Sequence, residues 1–261
     1  MDGVSKTLYI PLYGKAYVSQ RKLFLSDESA ETIWKKDGFP LKGKAKSKWL
    51  AYHMGMRAAV FDRWTKDMLE ACPGAVVLHL GCGLDSRGNR VAHPGSQWYD
   101  VDFPEVIALR QRYFPETETE HMVAADVRQS SWLDGVSDGT VAIVVMEGLS
   151  MYLQMEELKQ LLQNIRSRFQ QVHLLMDTYT SFAARATKYK NPINTVGVTE
   201  VYGFDTPQEP AGNTGFRFVR EHNLTPACLI AMLSANEQRF FRTMFAGSMA
   251  KRIYRLYEYE A

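Results

Sequence analysis

The sequence predicts an α/β fold in which helices cover both faces of a mostly parallel β-sheet. Five short runs of apolar and β-branched residues alternate with helical stretches through the middle of the chain. This alternation is typical of parallel strands joined by crossover helices. The first run, residues 75–80, ends directly in a turn with two glycines. The order of elements therefore predicts an open sheet with a ligand site at the carboxyl ends of its strands.

Composition fits one globular unit with a sizeable core. The chain has 261 residues, of which 46% are hydrophobic and 23% charged, and these are ordinary values for a globular protein. Its formal net charge of +2 is too small to indicate nucleic acid or a membrane surface as a partner. The basic run at residues 42–48 fits either a solvated loop before a helix or a nucleic-acid contact. We expect no nucleic-acid partner.

The three cysteines, Cys72, Cys82 and Cys228, form no CxxC pair and no metal-ligand spacing. They predict reduced thiols and no metal site. The N-terminal residues lack the apolar segment of a signal peptide, and no apolar run approaches the length of a membrane span. We therefore expect a cytoplasmic location and no membrane partner. The sequence gives no indication of the oligomeric state.

The pattern predicts a single domain with four parts. Residues 1–72 read as helical and form a candidate lid, with Asp27 as a helix cap and a long apolar periodicity over residues 49–72. Residues 73–180 carry the alternating strands and helices, residues 181–215 read as a loop-rich insertion on the substrate side, and residues 216–261 return to β character. The predicted strands are residues 75–80, 97–101, 121–125, 140–146, 172–176, 216–219 and 253–259.

Four features follow predicted strands. The first is the turn Gly81-Cys82-Gly83. Glycines there let the backbone approach a ligand where a Cβ atom would collide. A tight turn without a ligand is the alternative.

The second feature is Asp102, about 20 residues after the glycine turn. A carboxylate at this spacing can accept hydrogen bonds from the ribose hydroxyls of an adenosine. Asp100, two residues earlier, is the weaker candidate because it fits a helix or loop cap.

The third and fourth features are Asp126 and Glu147. An aspartate at the position of Asp126 commonly faces an adenine amino group, although capping the following turn explains it equally well. Glu147 follows an apolar run and is costly to bury without a partner. Its partner is either a cationic ligand group or an arginine of the protein. S-adenosylmethionine (SAM) offers an ammonium and a sulfonium.

Nicotinamide binding is the main competitor. Its GxGxxG fingerprint fails here because Ser86 occupies the third glycine position. A pyrophosphate also favours a free helix N-terminus, whereas Asp85 brings an anion towards it. The balance favours SAM.

With these residues identified, the sequence resembles the leucine carboxyl methyltransferase family, in particular its bacterial branch of polyketide O-methyltransferases. The resemblance is carried by residues 78–87, where the family has a string similar to LGAGLDTR, and by further motifs at residues 5–14, 98–107, 125–128, 131–133 and 147–153. It implies a Rossmann-like class I SAM-dependent methyltransferase fold with a mostly parallel seven-stranded sheet and an N-terminal helical lid.

The resemblance also implies roles for single residues. Gly81 would line the methionine part of SAM, Asp102 would hold the ribose, Asp126 and Val127 would border the adenine, and Glu147 would face the amino-acid end. Two basic residues would bind the SAM carboxylate.

These two residues are Arg57 and, with a weaker match, Lys15. A guanidinium pairs bidentately with a carboxylate. Alternatively, Arg57 pairs with Asp62 or Glu147 and Lys15 is solvated.

The sequence departs from the family pattern at several positions. Cys82 replaces a small alanine in the glycine turn, a mild change, and Asp100 stands where the family often has Glu. Gly88 and Asn89 replace bulkier residues. Residues 181–215 align with nothing in the family, so the acceptor is not predicted from them.

The reaction implied is methyl transfer to a carboxylate or hydroxyl oxygen, and the expected acceptor is a small molecule such as a polyketide-like metabolite. Tyr152 and Arg87 are the candidates for orienting the acceptor, although Tyr152 fits a core aromatic equally well. His79 reads as a core histidine, and His121 and His173 lie at strand starts. With no histidine recognised as a base, the sequence favours a carboxylate acceptor or catalysis by positioning alone. A nicotinamide-dependent oxidoreductase and a non-catalytic SAM-binding member are the alternatives.

Overall fold

The computed structural model describes residues 5–38, 40–91, 94–187, 200–247, 250 and 252–261. A short 3-10 helix, Ser5–Leu8, leads into α1 (Tyr9–Ser19), α2 (Glu28–Asp37) and α3 (Lys48–Ala71). The Asp27 side chain accepts a hydrogen bond of 2.8 Å from the Ala30 amide, which caps α2 as the sequence predicted. The basic run before α3 contains a second 3-10 helix, Gly43–Lys46.

The described residues form one seven-stranded sheet. Its strands are β1 (Val76–Leu80), β2 (Trp98–Asp102), β3 (Glu120–Ala124), β4 (Val141–Met146), β5 (Gln171–Tyr179), β6 (Arg217–Glu221) and β7 (Tyr254–Glu260). Their order is β3-β2-β1-β4-β5-β7-β6, and β1 to β5 pair in parallel. β7 is antiparallel to both of its neighbours. The predicted mostly parallel seven-stranded sheet is confirmed, and the antiparallel insertion of β7 is a feature that the sequence did not predict.

Alternating side chains of the central strands face two helical layers. Val76, Leu78 and Leu80 belong to one core cluster, and Val77 belongs to another. The first cluster includes the apolar face of α6 (Met155–Arg168), and the second includes Phe61 and other residues of α3. The sheet is therefore covered on both faces, which explains why its strands read as continuous apolar runs.

The remaining described α-helices have between 4 and 11 residues. They are α4 (Arg87–Arg90), α5 (Pro104–Arg110), α7 (Ser181–Ala186), α8 (Gln208–Ala211), α9 (Ala227–Ile230) and α10 (Ala235–Phe245). Within the predicted insertion at residues 181–215 the structure contains α7 and α8, and residues 188–199 lie outside the described part. None of the described helices is long and apolar enough to cross a membrane.

The N-terminal helices pack beside the carboxyl ends of β1 and β2. Leu8 and Leu12 share a core cluster with Leu84 of the glycine turn and with Val106 of α5. This packing brings the 3-10 helix and α1 close to the turn that follows β1. The site described below therefore has a wall that the N-terminal segment supplies.

Candidate active site

A cavity of about 400 Å³ opens at the carboxyl edge of the parallel strands. The strand order reverses between β1 and β4, and ligands bind at such a switch point in open α/β sheets. The cavity is lined by Gly81 after β1, Asp102 at the end of β2 and Glu147 after β4. Its volume is in the range of small-molecule sites.

The glycine turn after β1 requires its two glycines. Gly81 and Gly83 have positive φ angles of 66° and 52°, a backbone region that L side chains rarely adopt. A Cβ atom at Gly81 would lie 3.2 Å from the Leu149 side chain, and one at Gly83 would lie 3.3 Å from Leu8. Cys82 between them is buried and also lines the cavity. The turn thus exposes backbone to a ligand at close range.

Asp102 lies at the cavity wall, where it is the last residue of β2. Its two carboxylate oxygens accept hydrogen bonds from the amides of Gly83 (2.7 Å) and Phe103 (2.8 Å). Burial raises the pKa of Asp102, and these two amides partly oppose that effect. The carboxylate is fixed in place and keeps lone pairs for hydroxyl donors of a ligand.

Asp100 has a different role from the cap that the sequence suggested. It is buried in β2, accepts hydrogen bonds from Trp98 and Arg110, and lies 2.7 Å from Nδ1 of His79. His79 is thereby a satisfied core histidine. The cap interpretation of Asp100 was wrong because the strand extends through Asp102 and leaves no helix end at that position.

Arg57 of α3 is the centre of a buried ion-pair cluster. Its guanidinium lies 3.0 Å from Glu147 and 2.9 Å from Asp177 of β5, and it donates a hydrogen bond of 2.6 Å to the Tyr254 hydroxyl. Tyr254 in turn donates to Asp177. Arg57 and Glu147 both line the cavity. The sequence offered pairing with Glu147 as an alternative to ligand binding by Arg57. The structure contains this pair, and both side chains still reach the cavity.

Lys15 is buried rather than solvated. Its ammonium lies 2.9 Å from Asp85, and both residues line the cavity. Asp85 also pairs with Arg87 (3.2 Å) and Arg90 (2.9 Å). This pairing continues through Arg87 to Glu147, so one network of charges runs from α1 to the end of β4.

The charges in this network hold one another ionised. Burial would raise the pKa of Glu147, but the cations Arg57 and Arg87 outweigh it and lower the pKa to about 2. Arg87, Arg90 and Lys15 likewise overcome burial and keep the pKa of Asp85 well below its ordinary value. At neutral pH the cavity wall therefore presents ionised carboxylates beside ionised basic groups.

A second part of the cavity, here called the aromatic compartment, is lined by His53, Tyr152, Tyr179, Phe245 and Tyr254. Tyr179 ends β5 and pairs in register with Tyr254 at the start of β7. Because β7 is antiparallel, its first residue lies at the same sheet edge as the ends of the parallel strands. Burial raises the pKa of the Tyr152 hydroxyl, so Tyr152 stays protonated.

The sheet order separates the two parts of the cavity. Asp102 ends β2 and Tyr179 ends β5, and β1 and β4 lie between these strands. Three steps between neighbouring strands correspond to about 14 Å. The glycine turn and Asp102 therefore lie on one side of Glu147, and the aromatic compartment lies on the other.

Three predicted site residues are not among the described residues that line the cavity. Asp126 is partly exposed and pairs with Arg128 at 2.9 Å, and Val127 is in the core beside Trp132. Arg87 is fully buried and pairs with Asp62, Asp85 and Glu147. The Arg87 guanidinium therefore has no path to an acceptor in the cavity. Through its ion pair it holds Glu147 in place instead.

Sequence reasoning missed His53, Asp177 and Tyr254. His53 lies one helical turn before Arg57, and residues four apart share a helix face, so that spacing could have found it. Asp177 lies near the carboxyl end of β5. The search for polar residues at the carboxyl ends of strands, which found Asp102 and Glu147, could also have found it. Tyr254 had no such signal because its position depends on the antiparallel direction of β7.

Known proteins show similarity to this chain over most of its length. A model of the leucine carboxyl methyltransferase family matches residues 12–166. The tetracenomycin polyketide synthesis O-methyltransferase of Streptomyces glaucescens is 30% identical over 234 residues, which cover 88% of this chain and 87% of that protein. An S-adenosyl-L-methionine-dependent methyltransferase of Gibberella zeae is 27% identical over 232 residues, covering 80% and 78%.

Solved structures share the fold at low sequence identity. An S-adenosylmethionine-dependent methyltransferase from Mesorhizobium loti has a TM-score of 0.52 and 16% identity, covering 77% of this chain and 98% of that one. Magnesium protoporphyrin IX methyltransferase from Synechocystis, with bound SAH, has a TM-score of 0.51 and 15% identity, covering 89% and 92%.

The fold is that of the class I SAM-dependent methyltransferases. The family model spans more than half of the chain, and the chain belongs to the leucine carboxyl methyltransferase family. It is an enzyme that uses SAM as its methyl donor. The nicotinamide-dependent and non-catalytic alternatives are set aside.

Proposed function

We propose that this methyltransferase transfers a methyl group to a carboxylate or hydroxyl oxygen of a small molecule such as a polyketide-like metabolite. The observation that carries this proposal is the aromatic compartment, which continues directly from the charged part of the cavity. Aromatic side chains bind flat apolar molecules by stacking and edge contacts. The name of the Streptomyces glaucescens relative, a polyketide synthesis O-methyltransferase, supports the same acceptor class.

The cavity residues outside the aromatic compartment, from the glycine turn and Asp102 to Glu147, suit SAM. We assign the ribose hydroxyls to the Asp102 carboxylate and the methionine part to the exposed backbone of Gly81, Cys82 and Gly83. A bulkier residue at either glycine would press on Leu149 or Leu8. The Asp102 carboxylate near the turn would repel a pyrophosphate, whereas SAM carries none.

The amino-acid end of SAM carries both a carboxylate and an ammonium. We assign its carboxylate to Arg57 and Lys15 and its ammonium to Glu147. All three side chains are buried, Arg57 beside Glu147 and Lys15 beside Asp85, and a zwitterion matches such alternating charges. We also keep Asp126 and Val127 as candidates for the adenine, a role that requires Asp126 to exchange part of its pairing with Arg128.

When bound, SAM supplies a methyl group on a sulfonium, whose sulfur keeps the bonding electron pair as that group leaves. The protein's contribution is mainly alignment. The buried network from Lys15 to Asp177 fixes the charged groups, and the aromatic compartment excludes water around the acceptor. Tyr152 keeps its proton and is available to donate a hydrogen bond to an acceptor oxygen.

The proposal is tested by incubating the purified protein with SAM labelled in its methyl group and a panel of aromatic hydroxyl compounds, aromatic acids, amines and thiols. We expect label on oxygen and no label on nitrogen or sulfur. Loss of the label in mild alkali marks a methyl ester, and resistance marks a methyl ether. Transfer only to nitrogen or sulfur would refute O-methylation.

A further inference from the structure

Two exposed apolar side chains border the mouth of the aromatic compartment. Met244 near the end of α10 is 57% exposed and Ile253 just before β7 is 39% exposed, yet both line the cavity. Each directly precedes a residue of the compartment, since Phe245 follows Met244 and Tyr254 follows Ile253. These two side chains, here called the apolar rim, therefore connect the inside of the compartment to the protein surface.

Phe240 extends this apolar surface along α10. It lies four residues before Met244, so the two side chains share one face of the helix and are about 6 Å apart along its axis. Phe240 is 43% exposed, and its ring packs on Trp49 of α3 with a centroid separation of 4.2 Å. The apolar rim and Phe240 together form a track, which leads from the aromatic compartment to the outer face of α10.

The packing of α10 against α3 holds this track in a fixed position. Phe241 is fully buried in a core cluster with Tyr52 of α3. Glu237 accepts hydrogen bonds of 2.9 Å from the Lys48 ammonium and from the Tyr52 hydroxyl. Because Lys48 and Tyr52 belong to the helix that also carries Arg57, one element supports both the track and the charges of the site.

Single exposed apolar side chains are common on protein surfaces, but this track is continuous with a ligand cavity. A small acceptor inside the aromatic compartment would leave the apolar rim in water. An apolar chain that leaves through the mouth would cover the rim, and such burial is favourable. A partner protein fits less well, because three partly exposed side chains present on the order of 300 Å², whereas each partner in a stable interface contributes roughly 800 Å².

We propose that the methyl acceptor is an amphiphile whose oxygen and aromatic ring lie inside the compartment and whose apolar chain leaves over Met244 and Ile253. The proposal rests on the proposed function and narrows its acceptor to molecules that are longer than the compartment. It applies equally to a carboxylate and to a hydroxyl group, because the chain lies at the opposite end from the methylated oxygen. Met244 and Ile253 are thus specificity-determining residues that contact the acceptor away from the reacting atoms.

Two matched series of compounds measure the contribution of the chain. We choose 4-alkylbenzoates and 4-alkylphenols with methyl, butyl and octyl chains, and each is titrated into the full chain saturated with S-adenosylhomocysteine. A fully buried methylene is worth about fourfold in affinity, so one-sided contact with the track, at about half that free energy, is worth about twofold. The octyl compound should therefore bind about tenfold more tightly than the butyl compound in both series. An octyl-to-butyl affinity ratio near one in both series would overturn the proposal.

A double variant, Met244→Gln with Ile253→Thr, should lower the octyl-to-butyl ratio to below about threefold, because polar side chains lose hydration when an apolar chain covers them. The matched control is Met232→Gln with Val219→Thr. Met232 and Val219 are also exposed apolar residues, but they lie outside the described cavity wall. The control should keep the wild-type ratio, and an equal loss in both double variants would contradict a specific role of the apolar rim.

Carbon-13 NMR of the methionine methyl groups gives a second readout on the wild-type protein, which does not depend on the folding of a polar variant. The Met244 methyl signal, assigned through the conservative variant Met244→Leu, should shift with the octyl compounds and not with the methyl compounds. The Met232 signal should stay in place with both. A Met244 signal that does not move with either octyl compound would refute contact between the chain and the apolar rim.

Turnover separates this inference from the proposed function. In the wild-type protein, kcat/KM for methylation should be about tenfold higher with an octyl than with a butyl chain, and the rim double variant should lose most of this preference. O-methylation with the same kcat/KM at every chain length would uphold the proposed function and refute the inference. Binding that depends on chain length, without methylation of any oxygen acceptor, would do the reverse. A wild-type dimer that the rim double variant dissociates, together with an unchanged octyl-to-butyl ratio, would assign the track to a second copy of the chain and refute the inference.

Discussion

Arg57 and Glu147 form a buried ion pair in which the Nη2 atom of Arg57 lies 3.0 Å from Oε1 of Glu147. The pair joins α3, in the N-terminal part of the chain, to the residue that follows β4. Both side chains are almost fully buried, with 6% and 5% of their surface exposed. Removing one partner of such a pair leaves an uncompensated charge and costs about 3–5 kcal/mol. The same contact therefore contributes to stability and fixes the charges at the switch point of the sheet.

Arg57→Lys should weaken SAM binding by about tenfold to a hundredfold. A lysine keeps the charge but loses the fork that reaches Glu147, Asp177 and Tyr254 together. Isothermal titration calorimetry with SAM measures the effect. The control is Arg63→Lys on the exposed side of the same helix, where the side chain is 81% exposed. Wild-type affinity in Arg57→Lys would mean that Arg57 has only a structural role.

Asp102→Asn should lower the affinity for SAM by about tenfold, because charge-assisted hydrogen bonds to the ribose hydroxyls become neutral ones. Asn also replaces an acceptor of the Gly83 and Phe103 amides, so thermal unfolding is measured alongside binding. Asp67→Asn, at an exposed position of α3, serves as the control. A loss of stability with unchanged affinity would remove Asp102 from the binding site.

Gly81→Ala should destabilise the fold by about 1–3 kcal/mol through its positive φ and should also weaken SAM binding. The added Cβ atom would lie 3.2 Å from Leu149 at the cavity wall. Gly135→Ala is the matched control, since its φ is not positive and a Cβ there would meet no atom within 4 Å. Urea unfolding and SAM titration of both variants give the comparison. Equal effects in the two variants would contradict a special role of the turn.

The free energy of unfolding should depend on pH through Glu147. Its folded pKa of about 2 is below its ordinary value of 4.5, so the unfolded state binds the proton more readily between these values. The stabilisation is complete above about pH 4.5 and is lost as the pH falls towards 2. Glu147→Gln should be destabilised most at pH 7, and its difference from wild type should shrink below pH 4.5. A constant difference in urea unfolding across this range would contradict the low pKa.

Tyr152→Phe should lower kcat/KM for the methyl acceptor by about tenfold, which corresponds to one lost hydrogen bond in the transition state. The affinity for SAM should change little because Tyr152 belongs to the aromatic compartment. Tyr17→Phe on α1 is the control, since Tyr17 is not among the described cavity residues. Unchanged kcat/KM in Tyr152→Phe would indicate that the Tyr152 hydroxyl serves only its local hydrogen bond with Thr7.

The periodicity of the chain predicted its main elements well. Apolar residues at three- and four-residue spacing marked α3, and continuous apolar runs marked β1 and β4, because these patterns follow directly from the geometry of a helix and a buried strand. Predicted boundaries differed where local signals were weak. The strand predicted over residues 172–176 extends over Gln171–Tyr179, and α4 after the glycine turn was not predicted.

The sequence by itself determined the glycine turn and the positions of Asp102 and Glu147, because residues that follow parallel strands share one edge of a sheet whatever the distant packing is. Only the tertiary structure decided that β7 enters antiparallel between β5 and β6 and brings Tyr254 to Arg57 and Asp177. It also decided that Arg87 is buried behind Glu147 and that His53 faces the aromatic compartment. Such contacts join residues far apart in the chain, and the packing of whole elements sets them rather than any local pattern.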